Sequence, residues 1–129
     1  MSANPPYHNL VFYTGGTPNG FKPSVMLEEL GLQYEVEIID LDRNEQKQPD
    51  FLAINPNGKI PALKDGDMRV FESGAIMLYV TDQYDTENQI SYRQGTREYY
   101  EMLSWLMWQM AGVGPMQGWF FSLFSCVSH

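Results

Sequence analysis

A chain of 129 residues, 43% of them hydrophobic, can bury the core of one compact domain, which excludes a wholly disordered polymer. Sixteen acidic against eight basic residues give a formal charge of −8, so phosphate backbones and anionic bilayers would repel it, and neither nucleic acid nor membrane is expected as a partner. Cys126 is the sole cysteine, which excludes an internal disulfide, a paired-cysteine redox motif and a cysteine zinc cluster; a reducing, cytoplasmic setting fits.

Residues 1–8 hold two prolines and no apolar run, unlike a secretory signal, and no stretch approaches the roughly 18 apolar residues of a membrane span. Residues 9–13, with Leu10, Val11, Phe12 and Tyr13 in succession, read as a short buried strand. It stops at Thr14-Gly15-Gly16-Thr17-Pro18-Asn19-Gly20, a run of turn formers suited to a functional loop. Phe21, Val25, Met26, Leu27 and Leu30 then recur at helical spacing, with Glu28 and Glu29 on the other face and Gly31 where a left-handed cap belongs. In residues 34–41, Val36 and Ile38 alternate with Glu35 and Glu37, which predicts a second strand with one face nearer solvent. Residues 42–50 read as a charged, polar connection.

Residues 60–63 and 68–71 are short, mainly apolar segments around Lys64-Asp65-Gly66-Asp67, a hairpin signal that makes the third and fourth strands antiparallel. Residues 73–84 place Ile76, Met77, Val80 and Tyr84 on one helical stripe, and residues 85–91 form a polar linker at an expected domain boundary. From Tyr92 to about Met110, the residues Tyr99, Leu103, Leu106, Met107 and Met110 share a face that Trp105 and Trp108 widen. Such a helix needs neighbours to cover it. Strand, helix, strand, connection, hairpin, helix is a right-handed crossover followed by an antiparallel pair.

At Ile54-Asn55-Pro56-Asn57-Gly58-Lys59-Ile60-Pro61-Ala62-Leu63, followed by Glu72-Ser73-Gly74-Ala75-Ile76, the sequence resembles the glutathione transferases. Thr17-Pro18-Asn19-Gly20, Trp105, Trp108, Gln109 and Gly112-Val113-Gly114-Pro115-Met116 make it similar to the Nu branch, which itself resembles a fungal regulator of nitrogen metabolism. The resemblance covers residues 9–118. It implies an α/β, thioredoxin-like domain, a mixed four-stranded sheet with helices, over residues 1–84. Residues 85–91 would be the linker, and residues 92–129 the first helix of an all-α domain with an atypical apolar tail.

The resemblance also implies glutathione or glutathione disulfide as substrate or bound ligand, no metal, a homodimer, and disulfide reduction or thiol transfer as the activity. Family members continue for about another domain after residue 118. The tail from Trp119 onward has no such resemblance, so conjugation to electrophiles is in greater doubt than glutathione binding. Its aromatic residues, with Trp105 and Trp108, exceed the apolar patch a monomer normally exposes, so the tail is expected to fold back on the last helix or two chains to associate. Two further readings are a non-catalytic, glutathione-binding regulatory module and a truncated product without function.

Each motif has its own physical reason. A bond preceding proline can be held cis at modest cost, and Ile60 before Pro61 matches the place where thioredoxin-like folds do so. The Ile60 N–H and C=O would then pair with the cysteinyl part of glutathione, like one rung of an antiparallel sheet. Alternatively, Pro61 merely starts an edge strand. Ser73, at a strand-to-helix junction, can offer its hydroxyl and nearby N–H groups to the γ-glutamyl carboxylate, and Glu72 can meet the ammonium beside it. Alone, the pair would also read as a helix cap. By the resemblance, Gln46 and Lys59 approach the glycyl end; either could instead be a solvated surface residue.

A thiol is lowered in pKa by hydrogen-bond donors and by a helix N-terminus. The resemblance makes Asn19 and Thr17 the thiol-facing, catalytic pair, whereas composition alone reads Asn19-Gly20 as a turn with helix capping. Tyr13 and Tyr7 are rivals, and Tyr13, ending an apolar run, reads as packing. With no cysteine before position 126, disulfide exchange must use the sulfurs of two glutathiones, or of one glutathione and its substrate. His8 and His129 lie near the termini and suit neither catalysis nor metal ligation.

Overall fold

Leu10, Phe12 and Thr14 are buried and alternate with half-buried Val11 and Tyr13, the period of a strand covered on both faces. The computed structural model describes residues 10–127, which form two units separated in the sequence between Ile90 and Ser91. In the first unit this strand, β1 (Leu10–Thr14), is second in a four-stranded sheet of order β2-β1-β3-β4. β2 (Glu35–Ile38) runs parallel to β1, β3 (Ala62–Asp65) antiparallel to it, and β4 (Met68–Phe71) antiparallel to β3. Register puts Val36, Phe12, Leu63 and Val70 in one cross-strand row. Leu27 from α1 (Pro18–Glu29) and Ile76 and Val80 from α3 (Ser73–Tyr84) pack on that face and bury Leu10, Phe12 and Leu63. Burial of each such side chain contributes about 1.5 to 3 kcal/mol. On the other face the Tyr13 ring meets Phe51 of α2 (Pro49–Leu52) edge to face, with centroids 6.1 Å apart.

This is the mixed, thioredoxin-like α/β arrangement expected from the sequence, with four local differences. α1 begins at Pro18 rather than Phe21, because Thr17 caps it and proline suits the first helical position. The polar connection contains a 3-10 turn at Glu45–Lys47 and the single-turn α2, both too short to show periodicity. The hairpin loop is Gly66 and Asp67, with positive φ at Gly66 only, the position where a II′ turn takes glycine. Both faces of β2 are open: Val36 and Ile38 share the helix-facing side yet remain 50% and 68% exposed at the sheet's edge. Asn9, Tyr7, His8 and His129 lie outside the described residues.

In the second unit, Thr96 caps α4 (Arg97–Trp108), accepting from the Tyr99 amide at 3.3 Å. The chain then runs through a π-helical segment, Gln109–Val113, into α5 (Gly114–Val127). Trp108, Gln109 and Gly114 all keep right-handed helical dihedrals, so the tail extends the helix and does not fold back on α4. The wide turn has a local cause. Gly114 N–H donates to the Gln109 carbonyl, five residues back, just before Pro115, whose ring would crowd an α-helical carbonyl. Trp105, Trp108, Met116, Trp119, Phe120 and Leu123 stay exposed along this helix. No helix among the described residues is long and apolar enough to cross a membrane.

At the hairpin end of the sheet, Tyr79 and Tyr84 both donate to Asp65 Oδ2, Tyr79 at 2.8 Å, tying α3 to β3. Burial first, then the hydrogen bond to Asp65, pushes the Tyr79 phenol up to about 12 and raises Tyr84 likewise. A phenol raised above its ordinary value of 10.0 stabilises fully below that value and loses its contribution as pH climbs through the folded pKa. Stability in urea should therefore fall between about pH 10 and 12 in the native protein and fall less in a Tyr79→Phe, Tyr84→Phe double variant. At neutral pH, Tyr84→Phe alone should lose about 1 to 2 kcal/mol in the same assay.

Candidate functional site

Tyr13 pairs with Glu37 on one side and Ala62 on the other, and Ala62 pairs with Phe71. This row, Glu37, Tyr13, Ala62 and Phe71, lies at one end of the sheet. The chain leaves β1 there towards Thr17, enters β3 from Ile60 and Pro61, and leaves β4 at Glu72. Every candidate residue except Gln46 therefore stands within a few positions of one row of paired backbone. Gln46 is joined to it through Gly58, where an added Cβ would lie 3.1 Å from the Gln46 carbonyl oxygen.

Thr17 is the N-cap of α1, its hydroxyl oxygen accepting from the Gly20 amide at 3.2 Å. The hydroxyl hydrogen is left to donate elsewhere. Asn19 lies in the first turn, one residue after Pro18, and not ahead of the helix as the sequence suggested; its side chain is exposed. Gly20 is packed beneath: a Cβ there would lie 2.8 Å from the Gly15 carbonyl oxygen and press on the Thr14 hydroxyl. Gly15 is itself covered by Ile60, whose Cδ1 would lie 2.9 Å from a Cβ at Gly15, so the loop after β1 and the entry to β3 are in contact. Tyr13 is a packing residue, ring against Phe51, and burial first, then the Glu37 carboxylate, pushes its phenol up. Tyr7, the other rival, is not described.

The Ile60–Pro61 bond is cis, as expected. Lys59 is exposed and makes no ion pair among the described residues, whereas Lys47 donates from Nζ to the Gly58 carbonyl at 2.7 Å. Gln46 has a buried Oε1 with no hydrogen-bond partner among the described residues. Glu72 holds φ 72° and ψ 122° at the junction before α3, and its side chain makes no capping bond. Ser73 is buried at the first position of that helix, where backbone N–H groups favour anions. Burial holds the nearby Lys22 ammonium below its usual value, and the Glu72 charge draws it partly back up.

Sequence reading missed Lys22, Lys47 and Asn55. Neither lysine carries a local pattern, since Lys22 meets the Glu72 charge and Lys47 the Gly58 carbonyl, both distant in sequence. Asn55 does carry one: asparagine two residues before a donor amide is an Asx-turn signal. No group of three or more His, Cys, Asp and Glu side chains able to hold a metal occurs among the described residues.

The fold is that of a thioredoxin-like domain whose candidate residues gather at one end of the sheet. Residues 9–82 match the glutathione S-transferase N-terminal domain, and the chain belongs to the glutathione transferase family. It is 42% identical over 109 residues to glutathione S-transferase 1 of Schizosaccharomyces pombe, a match covering 80% of this chain and 48% of that protein. It is 42% identical over 113 residues to the disulfide-bond oxidoreductase YfcG of Escherichia coli, covering 82% and 51%. The crystal structure of glutathione transferase URE2P6 from Phanerochaete chrysosporium, in complex with oxidized glutathione, superposes with a TM-score of 0.83 at 46% identity, covering 86% and 52%. The chain thus spans about half the length of these relatives.

Two glycines test the geometry of the loop. Gly20→Ala should destabilise by about 1 to 3 kcal/mol, because its Cβ meets backbone that cannot rotate away. Gly16→Ala, with open space around it, should stay within about 0.5 kcal/mol of the parent. Parallel denaturant titrations of both variants check the pair.

Proposed function

We propose that this chain binds glutathione at the strand ends and activates its thiol for disulfide reduction or thiol transfer. The reading is carried by the contact between Ile60 and Gly15, in the loop that leads into the Thr17-capped helix start, which brings the entry to β3 against the segment ahead of a thiol-tuning terminus. Ile60 pairs through its N–H and C=O with the cysteinyl backbone, and Pro61 fixes that rung. Glu72 takes the γ-glutamyl ammonium, while Ser73 and the start of α3 take its carboxylate. Lys59 meets the glycyl carboxylate, and Gln46 approaches the same end of the ligand. The Thr17 hydroxyl and Asn19 amide hydrogen-bond the sulfur, and the helix start adds partial positive charge, so the thiolate forms nearer neutrality.

Two glutathiones reducing one disulfide give glutathione disulfide and two thiols, with no protein cysteine required. Reduced glutathione as substrate and a lone Cys126 suit a cytoplasmic setting. Calorimetry with reduced and oxidised glutathione, followed by a disulfide reductase assay, decides the matter. Turnover is expected; binding without turnover would make the chain a regulatory module, and no binding would end the proposal. Asn19→Ala should lower kcat about 10- to 100-fold and shift Kd less than about threefold, whereas equal losses would mean that Asn19 merely holds the ligand.

The chain also acts as a homodimer in this reading. The exposed Trp105, Trp108, Trp119 and Phe120 each carry about 150 to 250 Å² of surface, more together than a monomer normally leaves open. Sedimentation velocity should give a dimer that Trp105→Glu with Trp119→Glu converts to monomer; a parent chain monomeric at high concentration would refute it.

A further inference from the structure

Asn55 is 1% exposed, and both ends of its carboxamide are used. Nδ2 donates to the Lys59 carbonyl oxygen at 2.6 Å, and Oδ1 accepts from the Asn57 amide at 2.9 Å. Its backbone carbonyl accepts from the Gly58 amide at 2.9 Å, so this one residue braces the loop from both sides. Gly58, at φ +61°, is walled in: a Cβ would lie 2.9 Å from Lys47 Nζ and 3.1 Å from Leu52 Cδ2. The loop has little freedom to rearrange around a lost bond.

The Lys59 C=O and the Ile60 N–H belong to one planar peptide unit, and in a trans unit they point in opposite directions. Only the following bond, Ile60–Pro61, is cis. Holding the Lys59 carbonyl inward on a buried carboxamide therefore turns the Ile60 N–H away from it. Among the described residues no backbone carbonyl accepts from that N–H. We propose that Asn55 is a positioning residue for glutathione: it does not meet the ligand, but it aims the Ile60 amide that does. The proposal rests on the pairing of Ile60 with glutathione argued above.

Calorimetric titration of wild type, Asn55→Ala and Asn55→Asp with reduced glutathione, beside their melting temperatures, tests it. Asn55→Ala should bind about tenfold more weakly while still folded. Its saturated complex should keep the wild-type pH midpoint of thiolate absorbance, because Thr17 and Asn19 stand on another element. In Asn55→Asp a buried carboxyl can donate to the Lys59 oxygen only while protonated, and burial raises its pKa. The ratio of its Kd to the wild-type value should therefore climb between about pH 5.5 and 8, as ionisation sets charge against the carbonyl.

An Asn55→Ala protein that melts lower but binds within about twofold of wild type would reduce Asn55 to a stabilising role and overturn the proposal. So would a Kd ratio for Asn55→Asp that does not change with pH, and this variant decides alone if the alanine protein does not fold. A wild-type titration without heat would remove the glutathione reading itself and this inference with it, an outcome distinct from a silent variant beside a binding parent.

Discussion

The double pairing of Ala62, with Tyr13 on one strand and Phe71 on the other, is the constraint from which the site descends. Because β3 is central and antiparallel to both neighbours, the end where it begins is the end where β1 and β4 finish. Two helices must then start there, and a turn must enter there. Phe12 and Leu63, side by side and wholly buried under Leu27, Ile76 and Val80, hold that register against a one-residue slip, which would turn the core row to the opposite face. The candidate residues gather at the strand ends because the connections out of β1 and β4 and into β3 meet there.

What sequence could and could not convey follows from the range of each interaction. α3 was legible to the residue, Ser73 to Tyr84, because its stripe, its strand-to-helix junction and its polar exit are all local. The start of α1 was not, since Thr17-Pro18-Asn19-Gly20 reads equally as a turn, and only the Thr17 cap recruits Pro18 and Asn19 into the helix. α5 was missed for a different reason. Its residues are apolar almost all round, which erases the periodic signal, while Gly112, Gly114 and Pro115 argue for a break that a π turn absorbs instead.

The candidate site divides in the same way. The Ile54 to Leu63 block and the Glu72-Ser73 pair were visible as motifs, and the structure puts them beside one another through the hairpin. How they are braced was invisible. Lys47 reaches Gly58 across eleven positions, and Ile60 covers Gly15 across forty-five, contacts that exist only once the sheet has formed. Residue type announced the chemistry, and topology supplied the alignment.

The open edge at β2 has a consequence for how copies of the chain meet. Val36 and Ile38 make an adhesive ribbon there, at an edge where no further strand pairs among the described residues, the kind of border that recruits a foreign strand. Glu35 and Glu37 interleave with them on the same four-residue segment. Two such borders brought together head to tail would stack carboxylate against carboxylate, and that repulsion guards the sheet from growing sideways into an aggregate.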